Sequence, residues 1–327
     1  MSLGEFDVIT HYFKLHDCGV TDSGVDIGIG DDCAILDIPD GCQLAVTTDT
    51  LVAGVHFFED VCPYRLGYKS LAVNLSDLAA MGATPKWVSL AITLPNVETH
   101  WLSEFSRGFF DLANKQGVQL VGGDTTKGPL SITVSAKGIV SRNKALKRNG
   151  AKQGDLICVS GDLGNGALGL AHKLENRSLI NSQFFVDALE LTEPRNELGM
   201  LLVNQASSCI DISDGLLQDL QHILDASKCS AHIKADALPF SNAMQQEIEQ
   251  DKVTQEQAYQ YALSGGDDYE LLFTLSPDAY QDLLKQDLID KITVIGDVLA
   301  NEDEKIRITQ SSKPLSLALS GWDHFKK

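Results

Sequence analysis

Val46-Thr47-Thr48-Asp49-Thr50-Leu51-Val52-Ala53-Gly54-Val55-His56 is the stretch around which the rest of the chain is organised. Its approach reads as a strand: Leu44 and Val46 alternate with Gln43, Ala45 and Thr47, and β-branched residues dominate. It ends in Thr-Thr-Asp-Thr, three hydroxyls and a carboxylate on consecutive residues. Hard oxygens at that density suit Mg²⁺. The same residue types favour turns and helix caps, so alone the stretch leaves both readings open. Other Asp-rich segments flank it. Gly28-Ile29-Gly30-Asp31-Asp32 precedes it, and Asn74-Leu75-Ser76-Asp77 and Gly122-Gly123-Asp124-Thr125-Thr126 follow.

The chain of 327 residues suggests two domains, and 43% apolar residues allow each a core. A formal net charge of −19 repels nucleic acid and anionic membranes, so neither is expected as a partner. An anionic ligand would need cations between itself and these acids. The seven cysteines form no C-x-x-C pair and no zinc spacing, which fits a reducing cytosol. The first residues lack the basic and apolar regions of a signal peptide, and no apolar run reaches the ~20 residues of a membrane span. A cytoplasmic location is the expectation.

Outward from the central strand, the pattern predicts a short amphipathic helix around Phe6–Phe13 and a glycine-rich loop or short strand over 26–36. A helix over 63–81 stops at Gly82 and carries Asp77 among mostly apolar neighbours, an expensive place for a carboxylate unless it is paired or metal-bound. Strands are predicted at 87–94, 119–121 and 130–140, with a helix at 97–116. A basic connector over 141–154 holds Arg142, Lys144, Lys147, Arg148 and Lys152. Such a run is ordinarily a solvated link, but beside an acid-and-metal site it can offer an arginine to a phosphate. The second half opens with a strand at 156–160. It continues through a helix at 197–207, the segment Cys209-Ile210-Asp211-Ile212-Ser213-Asp214-Gly215, and a helix at 216–226 that Ser213 or Asp214 would cap. Helices at 242–250, 255–263 and 277–285 and strands at 271–275, 292–296 and 306–308 complete it. Ala72–Asp77 echoes Cys209–Asp214, and Gly122-Gly123-Asp124 echoes Gly265-Gly266-Asp267, which suggests halves of related design. Strands and helices do not alternate strictly, so the class is α+β rather than doubly wound.

No G-x-x-x-x-G-K-[ST] occurs, which argues against a P-loop kinase. One G-x-G-x-x-G, at Gly164, Gly166 and Gly169, follows a predicted strand and keeps a dinucleotide-dependent oxidoreductase as an alternative. Its plain alternative is a strand-to-helix turn. The acids carry more weight. Asp31, Asp32, Asp49, Asp77, Asp124, Asp211 and Asp214 would repel one another if gathered without cations, and several Mg²⁺ ions holding a polyphosphate resolve that.

Six segments in order resemble the thiamine-monophosphate kinases. They are Gly-Ile-Gly-Asp-Asp-Cys-Ala at 28–34, Thr-Thr-Asp-Thr-Leu-Val-Ala-Gly-Val-His-Phe at 47–57, Asn-Leu-Ser-Asp-Leu-Ala-Ala-Met-Gly at 74–82, Gly-Gly-Asp-Thr-Thr at 122–126, Ile-Asp-Ile-Ser-Asp-Gly-Leu at 210–216 and Asp-Tyr-Glu-Leu at 268–271. The resemblance implies a two-domain α+β fold like that of aminoimidazole ribonucleotide synthetase. An N-terminal domain over 1–145 would bind ATP and Mg²⁺ and form a homodimer, and a C-terminal domain over 146–327 would complete the site. It also implies ATP-dependent phosphorylation of thiamine phosphate to thiamine diphosphate. Another ATP-dependent synthetase of the same superfamily is the alternative. Carried over by motif, Asp32, Thr47, Thr48, Asp49, Asp77, Asp124, Asp211 and Asp214 would hold Mg²⁺. Gly122, Gly123, Arg148 and Ser213 would touch ATP, and His56, Asp267 and Trp322 thiamine phosphate. Asp49, Asp124 and Arg148 would bear most directly on the transfer. The family usually has Glu where this chain has Asp267.

Overall fold

The computed structural model describes residues 4–14, 24–285 and 292–315, which form two compact units, 1–78 with 82–145 and 79–81 with 146–327.

In the first unit, β1 (Val25–Ile27) and β2 (Ile35–Leu36) pair as a small ribbon around the Asp31–Asp32 loop. The main sheet has four strands: β3 (Cys42–Val52), β4 (Thr84–Leu94), β5 (Gln119–Lys127) and β6 (Ser131–Ser141). Their order is β3-β6-β4-β5, so β3 and β5 are the edges. β3 and β6 pair antiparallel from Cys42↔Ser141 to Val52↔Ser131, while β5 runs parallel to β4. Helices α2 (Pro63–Ala80) and α3 (Thr99–Gln116) supply the apolar layer. Leu71, Leu75, Leu102, Phe105 and Phe109 are buried with Ile92, Ile132, Val134 and Ala136 of the strands. Each large side chain so buried contributes about 1.5–3 kcal/mol. On the other face of the sheet Val46, Thr48 and Thr50 are exposed, as antiparallel sheets permit. The helix predicted at the start is a short α1 (Glu5–Val8) continued as a π-helical turn, Ile9–Lys14.

The second unit is a seven-stranded sheet of β7 (Leu156–Ser160), β8 (Ser208–Asp211), β9 (Ser230–Lys234), β10 (Leu271–Leu275), β11 (Ile292–Leu299), β12 (Ile306–Gln310) and β13 (Lys313–Pro314), in the order β13-β12-β9-β11-β7-β10-β8. All pairs are antiparallel except β12 with β9. The central strands are apolar on both faces because helices cover both. Ile157, Val159, Ile210 and Leu272 pack with α7 (Leu216–Ser227) and α9 (Gln255–Ser264). The alternate residues Cys158, Cys209, Leu271 and Phe273 pack with α6 (Asn196–Leu202) and α10 (Pro277–Leu284). Helices α4 (Asn165–Glu175), α5 (Ser182–Glu190) and α8 (Asn242–Glu249) complete the unit.

Several expectations need correction. β9 went unpredicted because its alternation, buried Ala231 and Ile233 against His232 and Lys234, runs for only four residues. The strand expected to stop at Val121 runs on to Lys127, so Gly122-Gly123-Asp124 lies within β5. The proposed echo fails structurally: Ala72–Asp77 is helix, whereas Cys209–Asp214 is strand and turn. The first residue before α7 is Gly215, with no side-chain cap from Ser213 or Asp214.

Candidate active site

Alternation along β3 turns Thr47, Asp49 and Leu51 toward the helices and Thr48 and Thr50 outward. Thr47 Oγ1 donates to the Asp77 carboxylate on α2. One turn earlier on the same helix, buried Asn74 accepts the Asp49 backbone N–H at 3.1 Å and donates to the Ser70 carbonyl at 3.2 Å. Asn74 and Asp77 are three apart and share the face that meets β3. Burial first, then the Asp77 charge, pushes the Asp49 carboxyl up to about 6. The lysine near this level of the sheet does not relieve it. Lys137 pairs in register with outward-facing Val46, and its ammonium donates to Ser89 Oγ at 2.7 Å and the Ser135 carbonyl at 3.0 Å. Two carboxylates and a hydroxyl therefore converge in a partly dry place. That donor set fits a divalent cation of the Mg²⁺ type, with the rest of its shell drawn from water or ligand. Among the described residues no group of three or more His, Cys, Asp or Glu is placed to hold a metal ion by itself.

Other candidates of this unit lie apart. Asp124 pairs with Ala91, which pairs with Thr133, which pairs with Thr50. Asp49 sits in the neighbouring row with Val134, Leu90 and Gly123. The two acids thus occupy opposite edge strands and opposite faces, about 14 Å apart across three strand spacings. Gly123 is obligatory: a Cβ there would lie 1.8 Å from the Leu90 carbonyl oxygen. Asp32 is exposed, its backbone N–H bonded to Asp31 Oδ1 at 2.9 Å. His56 Nδ1 accepts the Val52 N–H at 3.0 Å in the turn that ends β3, which puts the ring proton of the neutral form on Nε2.

The second unit gathers another group. Asp211 ends edge strand β8, buried and on the Cys209 face. Ser213 and Asp214 follow in a turn whose two N–H groups both donate to Asp219 Oδ2, at 3.1 and 3.2 Å. Burial foremost, with Asp214 adding to it, pushes the Asp219 carboxyl up to about 7; the two N–H bonds and Arg148 oppose this. The Arg148 charge on the basic connector thus acts on the same carboxylate. Asp267 joins the group through its backbone, its N–H donating to the Ser213 carbonyl at 3.0 Å. Trp322 lies outside the described residues.

Models of the AIR synthase related proteins match residues 30–140 (N-terminal domain) and 152–309 (C-terminal domain). The thiamine-monophosphate kinase of Haemophilus influenzae is 46% identical over 335 aligned residues, covering 100% of this chain and 99% of that protein. The chain belongs to the thiamine-monophosphate kinase family. Among solved structures, a thiamine-monophosphate kinase from Stenotrophomonas maltophilia K279a is 39% identical with a TM-score of 0.84, covering 96% of this chain and 99% of that one. "AaThiL complexed with AMPPCP and TMP" is 30% identical with a TM-score of 0.76, covering 91% and 92%.

Within a thiamine-monophosphate kinase fold, the G-x-G-x-x-G of this chain has a different task from dinucleotide binding. The strand before it, β7, is antiparallel to both neighbours, unlike a dinucleotide-binding βαβ unit. The Gly164 N–H that would face a pyrophosphate donates instead to Asp268, at 2.9 and 3.1 Å. The N-terminus of α4 is thus met by a carboxyl group of the chain itself, which burial pushes well above its ordinary range while the Gly164 and Gly166 N–H groups oppose this. Glu270, two residues on, is equally well served. Arg195 forks onto it, with Nε at 2.7 Å from Oε2, and Ser160 Oγ donates to it while accepting the Leu271 N–H.

The residue-by-residue reading passed over Asn74, Asp219, Asp268, Glu270 and Arg195. Asn74, Asp268 and Glu270 stood inside quoted motifs, so their presence was visible and their partners were not. Asp219 is the fourth residue of α7, where an acid complements the helix dipole, which is the one signal that pointed to it. Arg195 is separated by 75 residues from Glu270, and spacing gives no hint of that pairing.

Proposed function

We infer that this protein transfers the terminal phosphoryl group of ATP to thiamine phosphate, giving thiamine diphosphate and ADP. One observation carries the reading to the chain's own chemistry: Asp49 and Asp77 converge with Thr47 in a place that fits a divalent cation, in a chain 46% identical to a thiamine-monophosphate kinase. Mg²⁺ bound there would screen the charge of the meeting phosphates and polarise the transferring group. Thr47, Asp49 and Asp77 are its proposed ligands, with Asp32, Thr48, Asp124, Asp211 and Asp214 serving further ions.

The chain's residues then have plain tasks. Arg148 binds phosphate oxygens as a fork, and Gly122, Gly123 and Ser213 position the nucleotide. His56, Asp267 and Trp322 receive thiamine phosphate, whose cationic thiazolium ring suits a carboxylate. The acceptor is a phosphomonoester with a second pKa near 6, so it is already ionised at neutral pH and needs no general base. Transfer is in line and direct, and a phosphorylated side chain on the pathway would contradict it.

The proposal includes a cytoplasmic homodimer. Asp49 and Asp124 are too far apart in one copy of the first unit to share an ion, in keeping with Asp124 serving a separate one. Exposed Leu44 and Val46 give that sheet face an apolar character suited to a second copy. We propose that residues 1–145 dimerise and bind ATP with Mg²⁺, and that residues 146–327 complete the nucleotide and substrate site. Incubation with ATP, MgCl₂ and thiamine phosphate should yield thiamine diphosphate and ADP in equal amounts. ADP without thiamine diphosphate would sink this reading in favour of another ATP-using activity.

A further inference from the structure

The Ser213–Asp214 turn is clamped from two sides. On one side both of its N–H groups converge on a single oxygen of Asp219, a carboxylate only 3% exposed. On the other side the Asp267 N–H holds the Ser213 carbonyl at 3.0 Å. The backbones are pressed together there: a Cβ on Gly266 would fall 2.4 Å from the Ser213 carbonyl oxygen. Gly215, at φ +117°, leaves no more room, since its Cβ would lie 2.7 Å from the Ser264 carbonyl oxygen. Two peptide planes fixed by one acceptor cannot rotate independently, so the directions in which the Ser213 and Asp214 side chains leave the backbone are set by Asp219. Arg148 is near enough to the same carboxylate to act on it electrostatically.

We propose that Asp219 is a positioning residue for phosphoryl transfer, holding the Ser213–Asp214 turn in the arrangement that receives the ATP phosphates. The proposal rests on the reading above in which Ser213, Asp214 and Arg148 face the nucleotide. Asp219 itself touches neither substrate. Its effect should therefore fall on ATP and leave thiamine phosphate alone.

The test is steady-state kinetics on the full chain with each substrate varied in turn at saturating MgCl₂. Asp219→Ala should raise KM for ATP about tenfold while KM for thiamine phosphate stays within about twofold. Asp219→Asn keeps an acceptor oxygen for both N–H groups and should stay within about threefold of the parent chain. If Asp219→Ala yields no folded protein, Asp219→Ser takes its place with the same expected split. The proposal is overturned if KM for ATP is unchanged, if both KM values rise together, or if the Asn variant is as impaired as the Ala variant. Ser213→Ala and Asp214→Asn are measured alongside. If neither alters KM for ATP, the reading of the nucleotide site falls and takes the proposal with it. If they do and Asp219→Ala does not, the proposal alone falls.

Discussion

Two sets of acids in this molecule meet opposite fates. In the second unit Glu270 is buried but served by the Arg195 fork and the Ser160 hydroxyl. In the first unit Asp49 and Asp77 face each other with a threonine hydroxyl and an asparagine beside them. Their mutual repulsion is strong enough to help move Asp49 up to about 6. The difference separates two uses of a carboxylate. An acid whose charge the chain itself compensates fastens a loop, whereas a half-buried acid whose neighbouring carboxylate helps raise its pKa has the character of a divalent-cation ligand.

That contrast breaks most readily at Asp49. Asp49→Asn should lower kcat by about a thousandfold, because on the proposed function it removes a ligand from the ion that would screen the transfer. The same variant should raise the Tm of the metal-free chain by about 2–4 °C, since it also removes a repelled, partly buried charge worth on the order of 1 kcal/mol after solvent screening. Activity assays and thermal denaturation in EDTA check the two halves. Glu270→Ala should do the reverse, costing about 3 kcal/mol in chemical denaturation by stranding Arg195, while kcat falls less than about tenfold. If Glu270→Ala spares stability and abolishes activity, the division between fastening and prepared acids is wrong.

A pH series sharpens the same point. The folded pKa of Asp49 lies above its ordinary value of 3.8, so the metal-free native state holds the extra proton. The stability it contributes is fully present below about pH 4 and is lost as pH rises through about 6. In EDTA, the Tm difference between parent and Asp49→Asn should widen over that interval, the parent falling behind. The smallest effect expected is at Asp267, whose φ of +65° is a left-handed conformation that Asp tolerates better than most residues. Restoring the family's Glu by Asp267→Glu should change KM for thiamine phosphate by about threefold and leave KM for ATP unmoved.

Much of this could be read from the chain. β3, α2, α3, α7, α8 and α9 are legible because their apolar residues recur with the period of the element that buries them, and β7 and β10 as short uninterrupted apolar runs. The Thr47, Asp49 and Asp77 convergence followed from an acid set in an apolar helix, which demands a partner. What stayed hidden depends on long-range pairing. The side on which Asp124 emerges follows from a register across three strands and a bulge between Val88 and Ser89, and no local pattern encodes that. Asp268 and Glu270 stood inside a quoted segment, and only the approach of Gly164 and Arg195 shows what holds them.

The claim that Asp49 and Asp77 await a divalent cation is tested most directly by isothermal titration of MgCl₂ with a non-hydrolysable ATP analogue into the parent chain and into Asp49→Asn at pH 8. The parent should bind Mg²⁺ with release of protons that grows as the pH is lowered toward 6, and Asp49→Asn should lose at least one ion and that proton release together. Equal stoichiometry and equal proton release in the two chains would contradict the account.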